Sequence, residues 1–528
     1  MQQVNRKISA TPKNAQDPVF LLVKSLTKAQ KRQFKLYAKR IEGHRESKFI
    51  KLFDFFDQTE SYDERELLKQ PFVSRAQLAN LKSHLYKQLL TSLRLNPSIQ
   101  NPRMLIREQL DFATVLYQKG LYKQSLKMLE KAKQMAKKWD EKYTQYEIVE
   151  FEKIIESQYI TRSMSNRTEA LVSDARMLGE ANMLCSQLSN LSLLLYERLL
   201  KAGYVKSDDE YREITQFFFR ELPKVEYDQL GFRERLWYSK AHVWYSMITQ
   251  DFLGLFKHAS RWVYLFEQYP EMLSSHPIFY LKANNYLMES LLLLRHPEKF
   301  KSTLEQMRQT IDSEGFPVNT NTQALAFLYR VNNELNLHFL KGTFEEGLSL
   351  IPEVKHGIKR FENQIDAHHV MMLYYKLACM YFGAGDYKQC IDYLRPIIFN
   401  SNLTMREDLM CFSRILDVIA HFEAGLDNDL DRLLLSTYRF LIRMNDLHQV
   451  QRLLIQFIRE LGSVYPQDLK EKFRALHGQL LPLEEDYYER RSFLYLDVLS
   501  WLESHITSAP LAQVVARKNA MAIKASRL

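Results

Sequence analysis

Glycine and proline are scarce in this chain. Fifteen of each in 528 residues is about half the average share. Few tight turns are therefore available, which disfavours a many-stranded or Rossmann-like fold. Long apolar runs are missing too: Leu291-Leu292-Leu293-Leu294 ends at Arg295, well short of the ~20 residues that a membrane span needs. No apolar core follows Met1 to Lys7, so no secretory signal is expected. Only four cysteines occur (Cys185, Cys379, Cys390 and Cys411). They show neither metal-type spacing nor a short disulfide framework, and the expected location is a reducing cytoplasm.

Catalytic groupings are thin. Gly383-Ala384-Gly385 lacks the third glycine and the preceding strand of a phosphate loop. His368 and His369, with His356 upstream, do not share a helical face as metal ligands would, because adjacent residues point about 100° apart. Cys379 and Cys390 fit small-residue packing positions as inert thiols. Asp208-Asp209 and Glu484-Glu485 read as first-turn charges at helix N-termini. Phe217-Phe218-Phe219 and Tyr487-Tyr488 read as core. No enzyme activity, catalytic residue, metal or cofactor is expected.

What is present is a recurring phrase: a helical run, a Gly, an aromatic two residues later, then a second run. It appears around Gly120 with Tyr122, Gly342 with Phe344, and Gly385 with Tyr387. In the clearest copy Ala113 and Leu116 precede the turn, and Ser125, Leu129 and Ala132 face back from the second helix. Ala378, Tyr381, Cys390, Leu394 and Ile397 repeat that arrangement. Small residues belong where two helices cross closely, and Gly supplies the left-handed residue that ends a helix. Weaker copies are centred on Asp251, Glu298 and Gly425.

These residues resemble the tetratricopeptide pattern. The turn positions 251, 298, 342, 385 and 425 are 47, 44, 43 and 40 residues apart, against about 34 in that family. The helices should accordingly run to roughly 16–20 residues. The resemblance covers most of residues 103–445. It implies an all-α, right-handed α-α superhelix over 103–508, acting as a protein-interaction scaffold.

The resemblance also implies that the first helix of each pair lines a concave groove. Its phase puts Tyr238, Tyr245, Asn285, Asn332, Asn336 and Tyr375 there, with Lys376 beside them. Asn amides pair with a peptide backbone, and Tyr adds contact area at little entropic cost. The expected partner is a protein or peptide. Only Asn336 and Lys376 compare even loosely with the family's carboxylate-binding arrangement, so recognition of a peptide C-terminus is not carried over.

Charge is uneven. The net charge is +10, yet residues 1–100 hold 19 Lys/Arg and 9 Asp/Glu while the other 428 hold 54 of each. The basic character belongs to a small helical module at 17–96, preceded by a disordered tail at 1–16. A linker at 97–102, with Pro97 and Pro102, separates it from the repeats. Thr27 and Gln30 form a capping box for a helix burying Phe34, Tyr37, Ala38 and Ile41, and Ser74 and Gln77 form a second. Phe49, Leu52, Phe53 and Phe56 point inward from Lys48–Asp57.

The pair 63–70 and 76–95 has the outline of a DNA-reading helix-turn-helix. The alternative function is therefore a nucleic-acid-binding regulator contacting DNA or RNA through Lys28, Lys31, Arg32, Lys35, Arg75, Asn80, Lys82 and Lys87. A final basic tail, 509–528, reads either as a helix or as disordered.

Overall fold

The computed structural model describes residues 17–42, 47–96, 101–158, 167–399, 407–426, 430–443, 449–461, 468–489, 493 and 497–525. All regular structure among them is helical, with no strand. The chain forms two compact units, 1–171 and 172–528. The expected tail at 1–16 lies outside the described residues, as do linker positions 97–100.

The first unit opens with α1 (Pro18–Ser25), α2 (Lys28–Glu42), α3 (Lys48–Gln58), α4 (Glu64–Leu68) and α5 (Arg75–Arg94). The capping box of α2 forms: Thr27 N–H donates to Gln30 Oε1 (2.9 Å) and Gln30 N–H to Thr27 Oγ1 (3.2 Å). The second does not. Ser74 makes no side-chain cap, and Gln77 instead accepts from Lys48 Nζ at 3.1 Å. Phe34, Ala38, Phe49, Leu52, Phe53 and Phe56 join one core with Leu85 and Leu89. Ile41, expected inside, is exposed, because the stripe of α2 has turned to solvent by its last turn.

Beyond it, α6 (Pro102–Gln118), α7 (Tyr122–Lys138) and α8 (Lys142–Gln158) build a separate cluster around Ile106, Leu129 and Ile148. Gly120 takes the left-handed conformation (φ 73°) between α6 and α7. Ala113 and Ser125 are fully buried at the crossing, where Ser125 Oγ donates to the Ala113 carbonyl at 2.8 Å.

The second unit begins within α9 (Arg167–Ala202) and continues through α10 (Asp208–Glu221), α11 (Phe232–Ile248), α12 (Phe252–Gln268), α13 (Met272–Ser275) and α14 (Pro277–Leu293). There follow α15 (Pro297–Ile311), α16 (Thr320–Lys341), α17 (Phe344–Leu348), α18 (Ile351–Arg360), α19 (Ala367–Gly383), α20 (Tyr387–Ile398), α21 (Glu407–Glu423), α22 (Leu430–Arg443), α23 (Gln449–Leu461), α24 (Leu469–Glu485), α25 (Val498–Thr507) and α26 (Leu511–Ala525). Each helix from α11 to α22 packs chiefly on near neighbours in sequence. Helices α11, α12, α14 and α19 are 17 residues long, within the length that the 40–47-residue spacing requires.

The turns explain the regularity. Gly342, Gly385 and Gly425 are left-handed at φ 72°, 82° and 64°. Where no Gly is present the left-handed residue is Gln250 (φ 52°) or Arg295 (φ 54°), and not the expected Asp251 or Glu298. Asp251 caps α12 instead, accepting from Gly254 N–H at 2.9 Å. At the α19–α20 crossing Ala378 and Cys390 are both fully buried. Asp208 and Asp209 open α10, whereas Glu484 and Glu485 close α24 and begin nothing.

The last helices break the neighbour-only pattern. Tyr488 Oη donates to Asp208 Oδ1 at 2.6 Å, Tyr487 Oη donates to the Thr249 carbonyl, and Arg295 pairs with Glu484 at 3.0 Å. The basic tail is a helix, α26, packed on α25 and α16.

Candidate functional site

Helices α14 and α16 present a row of amides, and α19 a lysine, to a cavity of about 1110 Å³ within the second unit. Asn333 Nδ2 donates to Asn285 Oδ1 (2.9 Å) and to the Tyr329 carbonyl (2.8 Å). Asn332 Nδ2 also reaches Asn285 Oδ1, at 3.4 Å, and Asn336 Nδ2 reaches Asn333 Oδ1 at 3.5 Å. Lys376 Nζ completes the row by donating to Asn336 Oδ1. One hydrogen-bonded ladder thus runs from α14 across α16 to α19.

Its surroundings are aromatic. Tyr196, Trp244, Tyr286, Tyr329 and Tyr375 all border the cavity. Trp244 and Tyr286 meet edge-on at 5.1 Å, and Tyr196 lies 4.9 Å from Trp244. Burial pushes the Tyr286 and Tyr329 phenols upward, so both stay protonated donors. Burial also drives the Lys376 ammonium down to about 8, with Glu289 opposing the shift. Cys379, one turn beyond Lys376, is pushed up to about 12 by the same desolvation. Lys376 is half-buried at the cavity wall, and a partly desolvated cation is costly unless something pairs with it.

Five of the seven groove residues meet here: Asn285, Asn332, Asn336, Tyr375 and Lys376. Two do not. Tyr245 stacks on Phe218 at 4.2 Å with its hydroxyl 3.1 Å from Thr215, and Tyr238 lies tilted against His242 at 4.1 Å. Both belong to the packing of α10–α12. Residues that the spacing did not single out include Asn333, Glu289 and the Leu511–Asn519 face of α26. The doublets Asn284-Asn285 and Asn332-Asn333, 48 residues apart, carried the missing signal. In each, one Asn back-bonds the carbonyl four residues earlier, Asn284 to Tyr280 and Asn333 to Tyr329.

His368 and His369 also line the cavity, and His369 pairs with the capping Asp366 at 2.8 Å. No group of His, Cys, Asp or Glu suited to hold a metal ion occurs among the described residues.

The basic residues of the first unit divide. Lys31 pairs with Asp57 at 2.5 Å and Lys35 with Asp54 at 2.7 Å. Lys82 is held by Asp17 at 2.7 Å and by the Tyr62 hydroxyl at 2.5 Å, its side chain largely buried. Lys28, Arg32, Arg75, Asn80 and Lys87 are exposed. In the helix-turn-helix outline Lys82 is thus an internal strut, and α4 spans only five residues.

No helix among the described residues is long and apolar enough to cross a membrane. No protein-family model matches the chain, and no curated protein gives a significant match.

Proposed function

We propose that the chain is a non-enzymatic scaffold or adaptor whose hairpins form a tetratricopeptide-like, right-handed superhelix. In this reading a protein or peptide partner is held at the cavity bordered by Asn285, Asn332, Asn333, Asn336 and Lys376. The observation that carries it is the amide ladder ending on a desolvated lysine. Primary amides offer a donor and an acceptor side by side, which matches a peptide backbone. Buried polar rows and dry cations detract from stability, and sites that bear such a cost tend to be functional. The four free thiols suit a reducing cytoplasm.

The test is a pull-down from the native cell lysate at moderate salt, with the wild-type chain beside Asn333→Leu. A protein captured reproducibly by the wild type and lost with the variant is expected. Recovery of nucleic acid alone would overturn the reading.

The competing reading, a nucleic-acid regulator, draws on the exposed Lys28, Arg32, Arg75 and Lys87 in the basic first hundred residues. Phosphate contacts give a log–log salt slope of roughly −0.9 per contact. A gel shift of the full chain at low salt that is abolished by Arg32→Glu with Lys87→Glu would favour it over the scaffold.

A further inference from the structure

One wall of the cavity is helix α26. Leu511, Val515, Lys518 and Asn519 border it, and their i, i+4, i+7, i+8 spacing makes them one stripe of α26. Helix α26 reaches back across more than 170 residues to lie on the end of α16. A Cβ placed on Gly342 would come within 2.7 Å of the Ala512 carbonyl and 3.1 Å of Val515 Cβ. The helix therefore rests directly on the left-handed turn that ends α16.

It is fastened lightly. Val514 is buried, Lys518 Nζ meets Glu503 at 2.7 Å and Arg517 meets it at 3.7 Å. Both ion pairs converge on one partly exposed carboxylate, an arrangement that salt weakens. Asn519 Oδ1 is enclosed without a hydrogen bond to protein, a penalty that an undocked helix would not bear. The joint is also formed: Ser508 ends α25 in the left-handed conformation (φ 56°), and Pro510 directly precedes α26. A short non-helical connection of this kind is where hinge motion is usually absorbed.

We propose that α26 is a lid, hinged at Ser508–Pro510, which narrows the asparagine-lined cavity, so that lifting it widens a partner's access to the ladder. This rests on the cavity being the binding site. It makes the scaffold autoinhibited by one of its own helices, with entry governed by the equilibrium between docked and lifted α26.

Cys379 borders the cavity, and the chain thereby carries a reporter of lid position. Cys185, Cys390 and Cys411 are buried away from it and report global unfolding. The experiment is alkylation of the full-length protein with N-ethylmaleimide at fixed pH, each cysteine followed by mass spectrometry. Val515→Asp, which would bury a carboxylate while the lid is shut, should accelerate Cys379 by about tenfold or more. Cys390 and Cys411 should stay at wild-type rates.

The second arm is Glu503→Gln, which removes the carboxylate that Lys518 and Arg517 both meet. With those pairs gone α26 is held less firmly, and Cys379 should label faster than in the wild type. Cys379 no faster in Val515→Asp, with the other cysteines also unchanged, would overturn the lid. If all cysteines accelerate together, the variant has unfolded and Glu503→Gln decides: a faster Cys379 with Cys390 and Cys411 unchanged upholds the lid, and an unchanged Cys379 refutes it. No partner enters the measurement, so its failure is distinct from failure to capture one.

Discussion

At Gly342 the backbone needs a left-handed residue and room for a neighbouring helix; at Gly385 it needs only the first. A Cβ on Gly385 or Gly120 meets nothing within 4 Å, whereas one on Gly342 strikes Ala512 and Val515. Gly385→Ala should cost about 1 kcal/mol of stability, the usual penalty for a Cβ in the left-handed region. Gly342→Ala should cost about 2–3 kcal/mol unless α26 undocks, because overpacking is added. Chemical denaturation of the two variants in parallel checks the difference; equal losses would mean that α26 does not bear on the turn.

Lys376 makes a second prediction at this scale. Its amine titrates near 8 in the folded chain and near 10.4 when unfolded. Between those values the unfolded state binds more protons, so stability rises with pH through that window. Below pH 8 the amine is charged in both states and the desolvation cost is fully present. Lys376→Met should therefore raise stability at pH 7 by on the order of 1–2 kcal/mol, some of the gain being offset by the orphaned Asn336 acceptor. The gain should disappear as pH approaches 10.4. Thermal melts at pH 7 and pH 10 measure it. A residue that destabilises the fold and has no other job is hard to account for, so a stabilised variant that loses its partner would mark a functional site.

Among the elements, the α11–α12 pair is the one tied most closely to pH. His242 and His258 stack at 4.2 Å. Burial lowers His242 to about 4 and His258 to about 3, with Arg261 and Lys257 adding to both shifts and His242 to that of His258. Both are neutral in the fold and protonate near 6.5 when unfolded. Stability is thus intact above about pH 6.5 and falls as pH drops toward 4, by on the order of 3 kcal/mol for each ring at most. His258→Phe should flatten that slope in melts at pH 7, 5.5 and 4.5; an unchanged slope would show that the pair does not titrate with unfolding.

The elements also show where sequence stops being enough. Hairpins around Gly120, Gly342 and Gly385 were legible because everything that forms them is local: a left-handed Gly, small residues at the crossing, and 3.6-residue periodicity. Asn285, Asn332, Asn336, Tyr375 and Lys376 followed from that phase. Tyr238 and Tyr245 did not, since the groups that claim them, Phe218 and His242 among others, compete for the same aromatic faces. Gln77 left its expected cap for Lys48, 29 residues away. The α26 lid and the Tyr488–Asp208 contact, 280 residues apart, leave no periodic trace. Such pairings depend on where the array ends, which no window of sequence encodes.

At the scale of the whole molecule, the basic 1–100 segment and the charge-neutral remainder pose alternatives that one chain can answer. In the first unit three of eight candidate nucleic-acid contacts are spent on Asp57, Asp54 and Asp17. In the second unit five of seven groove residues converge on one cavity. On this balance we propose that a partner is held by the second unit.

Site-specific photo-crosslinking tests that claim most directly. A benzophenone amino acid placed at Asn332, inside the cavity, is compared with one at Arg32, exposed on α2, each in the full-length chain in its native cells. The account expects a discrete protein adduct from position 332 that weakens when Asn333→Leu is added, and no adduct of similar yield from position 32. Protein or nucleic-acid adducts from position 32 alone, with none from 332, would contradict it.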